Sequence, residues 1–284
     1  MDSAGTRYLV CSVPRSGSTL FCHLLRSTRC LGMQPFDGGR FEYLVPYLRG
    51  RFRQVDWSST GLVDFLEIPF GSSATSNGVM GFKVMWDQFD QLLETARTRG
   101  RDRGMGRTEA ESRLVSRTRF VWLRRRDGVR QAVSWAKALQ SNAWNSRVQR
   151  EFQGRYLYDF PGITLALRRI HAAEAAWQRF FERCGVAPLT LYYEDYLVDR
   201  EAAVRSVAEW LGVTPVPALD LQADPIEAQS DGVNLEWERR YREDSRDAMK
   251  SARAMAAAVA SPAWWSTYAG RLRHRPTVPG RVGN

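Results

Sequence analysis

The sequence predicts an α/β fold of three layers, in which helices cover both faces of a mostly parallel central sheet. Two observations support this fold class. Short apolar runs that are typical of buried strands occur four times along the chain, and segments with helical periodicity separate them. The chain has 284 residues, of which 44% are hydrophobic, and this suffices for one large core. We therefore predict a single domain over residues 1–284.

The first predicted unit is a strand, a tight turn and the start of a helix. The strand covers residues 8–13, and apolar residues at 20, 24 and 25 mark the helix. Free N–H groups at a helix N-terminus attract a phosphate or a sulfate. Residues around the turn add a charge, hydroxyl donors and a glycine, and the candidate anion-binding set is Arg15, Ser16, Gly17, Ser18 and Thr19. The alternative is an ordinary Ser/Gly turn with Arg15 in solvent.

The spacing within this turn argues against four known motifs. A nucleoside triphosphate P-loop needs a first glycine and a lysine that are missing here, and a dinucleotide fingerprint needs further glycines. A cysteine phosphatase loop needs an arginine at the place that Gly17 occupies relative to Cys11. A nucleophile elbow needs glycine on both sides of its serine, which neither serine has.

Two acidic residues follow the first predicted helix. Proline and paired glycines oppose regular structure over residues 31–46, so Asp37 and Glu42 are expected on or beside a loop. In a parallel sheet such loops lie at the carboxyl ends of the strands, where ligands bind. Both residues are candidates for a general base. A helix cap or a surface acid explains Asp37 at least as well, and Glu42 less well.

The second predicted strand covers residues 79–86 and contains Lys83. This strand is almost entirely apolar, and a lysine within it needs an anionic partner or loses its charge. We therefore interpret Lys83 as a site residue. A helix is predicted to follow, and residues 99–112, which are rich in glycine and charge, predict a mobile basic loop. A lid over an anionic substrate is the alternative for this loop.

The third predicted strand covers residues 120–123 and ends at three consecutive arginines. A helix that Asp127 is well placed to cap follows. Arg125 at the strand's end and Ser134 in the helix can both address one site above the sheet. The alternative is a solvated corner. The remaining predicted elements are a helix over 162–184, a strand over 188–193, a helix over 199–211, an extended Pro-rich segment over 215–232, a helix over 235–258 and a flexible tail over 265–284.

Charge and cysteine content limit the classes of partner. The formal net charge of +10 predicts anionic partners. Nearly all of this charge is arginine, which suits phosphate and sulfate, although a base-composition bias of the genome explains the excess equally well.

Scattered cysteines predict reduced thiols and no zinc site. No apolar run reaches the roughly 18 residues of a membrane span, and no signal peptide is recognisable, so we expect a cytoplasmic protein.

Four blocks of sequence resemble a known family. The first reads Tyr-Leu-Val-x-Ser-x-x-Arg-Ser-Gly-Ser-Thr-Leu over residues 8–20, and the others lie at 81–86, 125–135 and 222–242. The first block resembles the 5′-phosphosulfate loop of sulfotransferases that use 3′-phosphoadenosine 5′-phosphosulfate (PAPS). The ordered set is most similar to the bacterial trehalose 2-sulfotransferase family. The resemblance implies a P-loop-like sulfotransferase fold and a homodimer.

The resemblance also implies roles for the candidate residues. Residues 15–19 would hold the 5′-phosphosulfate, and Arg125 and Ser134 would hold the 3′-phosphate. Glu42 would be the general base, with Asp37 as the reserve, because an apparent insertion over residues 36–41 changes the family's spacing. We hypothesise in-line sulfuryl transfer without a metal, in which Lys83 and the loop stabilise the developing charge.

The expected acceptor is a small molecule with a hydroxyl group, namely a sugar, a glycolipid or a specialised metabolite. Two other classes stay open. A kinase-like phosphotransferase would bind ATP with Mg²⁺, but the P-loop lysine is missing. A non-catalytic binder of nucleic acid or another polyanion would show salt-sensitive affinity. The dispersed arginines count against this binder, and we expect no nucleic-acid partner.

Overall fold

The computed structural model describes residues 5–34, 56, 58–99, 101–144, 154–215 and 231–248. Within these residues the strands and helices alternate as the sequence predicts. The strands are β1 (Arg7–Ser12), β2 (Met80–Met85), β3 (Arg119–Arg124) and β4 (Leu189–Tyr192). All four predicted strands are therefore confirmed, and their bounds differ from the prediction by one residue at each end.

The four strands form one parallel sheet in the order β2, β1, β3, β4. Strand β1 lies in the middle, where Val10 pairs with Lys83 of β2 on one side and with Val121 of β3 on the other. Strand β4 extends the sheet beyond β3 in the same direction. Because all four strands are parallel, the segments that follow them meet at one edge of the sheet. The predicted α/β class with a parallel sheet is confirmed.

Helices connect the strands throughout the described part of the chain. They are α1 (Ser18–Ser27), α2 (Leu62–Ser72), α3 (Trp86–Arg99), α4 (Arg107–Val115), α5 (Gly128–Ser141), α6 (Phe160–Arg183), α7 (Tyr193–Val198), α8 (Arg200–Leu211) and α9 (Gly232–Ala248). Asp127 caps α5 as predicted, since its Oδ1 accepts the N–H of Arg130 over 3.0 Å.

Apolar side chains on both faces of the sheet are buried. On one face, Leu9 of β1 and Phe82 of β2 pack in a cluster with Trp177 of α6 and apolar residues of α2, α3 and α5. On the other face, Tyr8 and Val10 of β1 pack against α1 and α8. A strand buried on both faces carries a nearly continuous apolar sequence, which is the pattern that predicted these strands.

Three regions differ from the prediction. Helices α2 and α7 lie in segments for which the sequence predicted no helix. The predicted loop over residues 99–112 is shorter, because α4 begins at Arg107. Arg107 donates to Asp90 over 2.6 Å and to the buried Glu111 over 2.9 Å, and these ion pairs tie the start of α4 to its neighbours. The tail over 265–284, and most of the segments predicted over 215–232 and beyond residue 248, lie outside the described residues.

No helix in the described ranges combines the length and the apolar character that crossing a membrane requires.

Candidate functional site

The candidate site lies where β1, β2 and β3 end. The turn after β1 covers residues 13–17 and leads into α1, whose N-cap is Gly17. No side chain caps this helix, so its first N–H groups are available to an anion. Arg15 has a φ of 66°, a left-handed backbone conformation that is uncommon for any residue except glycine. Such strain is typical of ligand-binding turns.

Gly17 is enclosed by two tyrosines of α7. Its φ is 78°, and an ideal Cβ at this position would lie 2.3 Å from Tyr193 Cδ2 and 2.3 Å from Tyr196 Oη. Tyr196 Oη also donates a hydrogen bond to the Gly17 carbonyl over 2.8 Å. Tyr193 and Tyr196, which follow β4, therefore pack against the turn. Position 17 requires glycine, because both its left-handed conformation and the close approach of the two tyrosines disfavour a side chain.

Arg15 joins the turn to helix α5. Its Nε donates to Ser134 Oγ over 2.9 Å, and a terminal nitrogen donates to the carbonyl of Trp144 over 3.0 Å. Burial and the nearby Arg125 lower the pKa of the Arg15 guanidinium to about 10. Because burial and Arg125 disfavour its charged form, the Arg15 guanidinium is stabilised when an anion binds next to it.

Arg125 approaches the same turn from the end of β3. One of its terminal nitrogens donates to the Arg15 carbonyl over 3.3 Å, and its guanidinium lies 4.6 Å from the centre of the Tyr193 ring. Burial lowers its pKa as well. Among the described residues, Arg125 Nε has no hydrogen-bond acceptor, although the Glu194 carboxylate lies 3.9 Å away. The two arginines thus place guanidinium groups next to one turn.

The three consecutive arginines at the end of β3 have three different environments. Arg124 donates to Glu174 over 2.5 Å, and Arg126 makes an exposed bidentate ion pair with Asp195. Arg125 lies between them in sequence, and its side chain donates to the carbonyl of Arg15 in the candidate anion-binding turn. The alternative of a solvated corner therefore fits Arg126 alone.

Helix α5 supports the turn through a second side chain. Gln131 Nε2 donates to the Pro14 carbonyl over 2.8 Å, one helical turn before Ser134. Gln131 and Ser134 are both buried on the face of α5 that meets the turn. Both side chains therefore fix the position of the turn relative to β3.

Lys83 reaches the turn from β2. It is 1% exposed, and its Nζ donates to Thr19 Oγ1 in the first turn of α1 over 2.8 Å. The sequence predicts that a lysine in a buried strand needs an anionic partner or loses its charge. The structure places its ammonium beside the candidate anion-binding residues. Lys83 is therefore positioned to act on a group bound at the start of α1.

The serines of the turn are buried. Ser16 is 0% exposed, and its Oγ has no hydrogen-bond partner within the described residues. A buried hydroxyl without a partner is unfavourable, so Ser16 is a candidate donor to a bound ligand. Ser18 is also buried, in the first turn of α1.

The structure brings together the predicted residues 15–19, Lys83, Arg125 and Ser134. The predicted bases Asp37 and Glu42 lie outside the described residues, and so does the insertion over 36–41. Sequence reasoning missed the supporting residues, because their contacts join positions that are far apart along the chain. These supporting residues are Gln131, Trp144, Tyr193, Glu194 and Tyr196.

Comparison with known proteins gives consistent matches. A family model described as Stf0 sulphotransferase matches residues 7–244. The chain is 31% identical over 266 residues to a trehalose 2-sulfotransferase of Mycobacterium tuberculosis, covering 86% of this chain and 97% of that protein. It is also 31% identical over 271 residues to a trehalose 2-sulfotransferase of Mycolicibacterium smegmatis, covering 87% of this chain and 98% of that protein.

Proposed function

We propose that this chain, which belongs to the Stf0 sulphotransferase family, transfers the sulfuryl group of PAPS to a hydroxyl of a small carbohydrate. The observation that carries the choice of donor is the meeting of two arginines at one turn. Arg15 and Arg125 come from the ends of two adjacent parallel strands, and Ser134 and the Arg15 carbonyl connect them. PAPS carries two separate anionic groups, and these residues suit both.

The turn after β1 suits the 5′-phosphosulfate. The uncapped N–H groups of α1 and the left-handed Gly17 allow an anion to approach the backbone closely. Ser16 Oγ is a buried donor without a protein partner in the described part of the chain, which supports a ligand oxygen at this position. Ser18 and Thr19 add hydroxyl groups in the same helical turn.

Arg125 and Ser134 suit the 3′-phosphate, which distinguishes PAPS from other nucleotides. The guanidinium of Arg125 is partly buried and retains a donor at Nε. Arginine binds phosphate with two parallel hydrogen bonds, and its affinity rises where water is scarce. Ser134 Oγ accepts from Arg15 and keeps its own proton to donate to an anion.

In the proposed reaction, the acceptor oxygen forms a bond to sulfur while the bond from sulfur to the bridging phosphate oxygen breaks. The acceptor proton passes to a carboxylate, for which we propose Glu42 with Asp37 as the alternative. Lys83 and Arg15 stabilise the charge that develops on the sulfuryl and bridging oxygens. The products are a sulfate ester and 3′-phosphoadenosine 5′-phosphate (PAP). Positioning and electrostatics suffice for such a transfer, as in phosphoryl transfer, and no step is assigned to a metal ion.

The names of the relatives guide the choice of acceptor. Both are trehalose 2-sulfotransferases, and we propose a small carbohydrate, with trehalose as the first candidate. A glycolipid or a specialised metabolite is the alternative, because the insertion over residues 36–41 adjoins the proposed base. We further propose one cytoplasmic domain with a three-layer, P-loop-like sulfotransferase fold, which forms a homodimer and binds no nucleic acid.

The proposal is tested by incubating the protein with ³⁵S-labelled PAPS and a panel of sugars that includes trehalose. We expect label in a sugar sulfate ester, and we expect Arg15→Ala and Arg125→Ala to abolish the transfer. Arg126→Ala is the matched control, because the exposed Arg126 side chain pairs with Asp195. Transfer that survives both substitutions contradicts the assignment of the donor site.

A further inference from the structure

We infer that Glu194 is a positioning residue for recognition of the donor's 3′-phosphate and that it acts through Arg125. The inference rests on the proposed function, because the 3′-phosphate belongs to the proposed donor. Glu194 follows β4 and lies in the first turn of α7. It belongs to none of the segments that the sequence marked as donor-binding.

Glu194 holds the backbone immediately after Arg125. Its Oε2 accepts the N–H of Arg126 over 3.1 Å, and its Oε1 accepts the N–H of Asp127 over 3.3 Å. Both carboxylate oxygens therefore bind consecutive N–H groups at the point where β3 ends and α5 is about to begin. Hydrogen bonds from backbone N–H groups to an ionised carboxylate are among the stronger ones in proteins.

The same segment also fixes the side chain of Arg125. The Glu194 carboxylate lies 3.9 Å from Arg125 Nε, and the Tyr193 ring lies 4.6 Å from the guanidinium carbon. On its other side the guanidinium donates to the Arg15 carbonyl. Arg125 is thus restrained from three directions, and two of the restraints come from consecutive residues after β4.

Charge gives Glu194 a second effect. Arg15 and Arg125 lie close enough to repel each other, and burial together with this repulsion lowers the pKa of Arg15. A carboxylate next to Arg125 partly offsets this repulsion before an anion binds. Glu194 therefore helps to orient Arg125 toward the position where the phosphate would bind.

Glu194 acts by positioning, since a carboxylate that already binds two N–H groups and carries a negative charge repels a phosphate. Its effect reaches the ligand through the placement of Arg125. A misplacement of a binding group by about 1 Å is enough to weaken such recognition strongly. We therefore expect the loss of Glu194 to affect the 3′-phosphate more than the 5′ side of the donor.

The test compares PAP with adenosine 5′-monophosphate (AMP), which lacks the 3′-phosphate. Isothermal titration gives the dissociation constants of both nucleotides for the wild type, Glu194→Gln and Asp195→Asn. Glutamine keeps one acceptor oxygen and places an amide NH₂ against the other N–H, so one hydrogen bond is lost. Asp195→Asn is the matched control, because it weakens only the exposed pair with Arg126.

We expect Glu194→Gln to reduce the preference for PAP over AMP by about tenfold while AMP affinity stays within about twofold. Asp195→Asn should leave the preference unchanged. Glu194→Asp is the second variant: it keeps the charge, but the shorter side chain does not reach both N–H groups, so the preference should also fall.

An unchanged preference in the two Glu194 variants overturns the inference, and so does an equal loss of PAP and AMP binding, which would indicate a general structural role. A wild type that binds PAP no more tightly than AMP contradicts the proposed function instead. The two failures are therefore distinguishable in one set of titrations.

Discussion

Arg15 Nε donates a hydrogen bond to Ser134 Oγ over 2.9 Å, although 119 residues separate the two along the chain. This contact connects the turn after β1 to the helix after β3. Because Arg125 also donates to the Arg15 carbonyl, the two proposed anion sites form one hydrogen-bonded unit. A change at either site is therefore expected to alter binding at the other.

The hydroxyl of Ser134 should be important for donor binding. Ser134→Ala removes the acceptor of Arg15 Nε and the proposed donor to the 3′-phosphate, so PAP affinity should fall by about 10- to 100-fold. Isothermal titration with PAP measures the effect. Ser141→Ala is the control on the same helix, since Ser141 Oγ donates only to the Lys137 carbonyl and accepts from the Ala143 N–H in the described contacts. Equal losses in both variants would contradict the role of Ser134.

Lys83→Met should separate catalysis from stability. Methionine fills a similar volume in the buried strand, so the change in melting temperature should be small. The turnover number should fall by about 100- to 1000-fold, because a group that stabilises developing charge is lost. Thr19→Ser keeps the hydroxyl that Lys83 contacts and should retain activity. A Lys83→Met enzyme with normal turnover would remove Lys83 from the mechanism.

Gly17→Ala should lower the folding stability by more than the left-handed backbone conformation of this position alone explains. Gly17 and Gly212 have similar φ values of 78° and 74°, but a Cβ at Gly212 meets nothing within 4 Å, whereas at Gly17 it overlaps Tyr193 and Tyr196. Gly212→Ala should lower stability by about 1 kcal/mol. Gly17→Ala should lower stability by about 1 to 3 kcal/mol more and abolish PAP binding. Thermal unfolding and PAP titration measure both effects, and equal behaviour of the two variants would refute the packing argument.

Donor binding should weaken at high pH. Burial and Arg125 lower the pKa of Arg15 to about 10, below its ordinary value of 12.5. Below about pH 10 the buried charge reduces folding stability, and this cost decreases as Arg15 loses its proton above that value. A bound anion favours the charged form, so PAP affinity should be constant below the folded pKa and should fall as pH rises through it.

Titrations with PAP at constant ionic strength check this pH dependence. Arg15→Lys is the informative variant, because lysine has an ordinary pKa of about 10.4, and burial should move the loss of affinity to a lower pH. A wild-type affinity that stays constant beyond the folded pKa would contradict the electrostatic account of Arg15.

The start of α9 should depend on a buried lysine of α5. Lys137 is 4% exposed and donates to Asp231 and, over 3.0 Å, to Asn234 Oδ1. Asp231→Asn leaves a buried charge with a weaker acceptor and should lower stability by about 1 to 3 kcal/mol. Lys137→Met should lower the stability by less, because Asp231 is partly exposed and water can solvate its carboxylate once the lysine is removed. Thermal unfolding gives the order of the two effects, and the reverse order would contradict this explanation.

The pH dependence of this contact has a definite sign. Burial alone would raise the pKa of Asp231, but hydrogen bonds from Lys137 and from the Asn234 N–H outweigh burial and lower it. The stabilisation is therefore present above the ordinary value of 3.8 and is lost as pH falls through the lower folded value. The difference in melting temperature between wild type and Asp231→Asn should disappear only in that acidic range.

The sequence predicted many residues of the candidate site, because residues that follow parallel strands meet at one edge of the sheet. Arg125 and Ser134 could be assigned to one site above the sheet from their positions after the third strand, and the family resemblance assigned these two residues and Arg15 to the same donor. Lys83 was identifiable because a charged residue in a buried apolar strand needs an anionic partner or loses its charge. Each of these signals depends on the local pattern alone.

The supporting residues could not be predicted in this way. Glu194 binds the N–H of Asp127, 67 residues away, and Tyr196 binds the Gly17 carbonyl, 179 residues away. Backbone groups look alike in every sequence, so no pattern marks these partners. Helix α2 escaped prediction because Pro69 and Gly71 oppose a helix, whereas the burial of Phe65 and Phe70 in the core stabilises it.

Arg107 explains the difference in the loop over 99–112. Its charge and the neighbouring glycines indicated a solvated segment, but Arg107 pairs with the buried Glu111 one helical turn later. Glu111 also accepts from Arg183 of α6 over 2.7 Å. Charges that pair with distant partners within the fold cannot be distinguished from solvated charges by composition.

The central claim is that the Arg15 and Arg125 site selects a nucleotide with a 3′-phosphate and a 5′ anion. Isothermal titration of the wild type with PAP and with ATP plus Mg²⁺, at the same ionic strength, tests it most directly. We predict that PAP binds at least about tenfold more tightly than ATP and that Arg125→Ala abolishes this difference. Equal or tighter binding of ATP with Mg²⁺ would contradict the claim and favour a phosphotransferase.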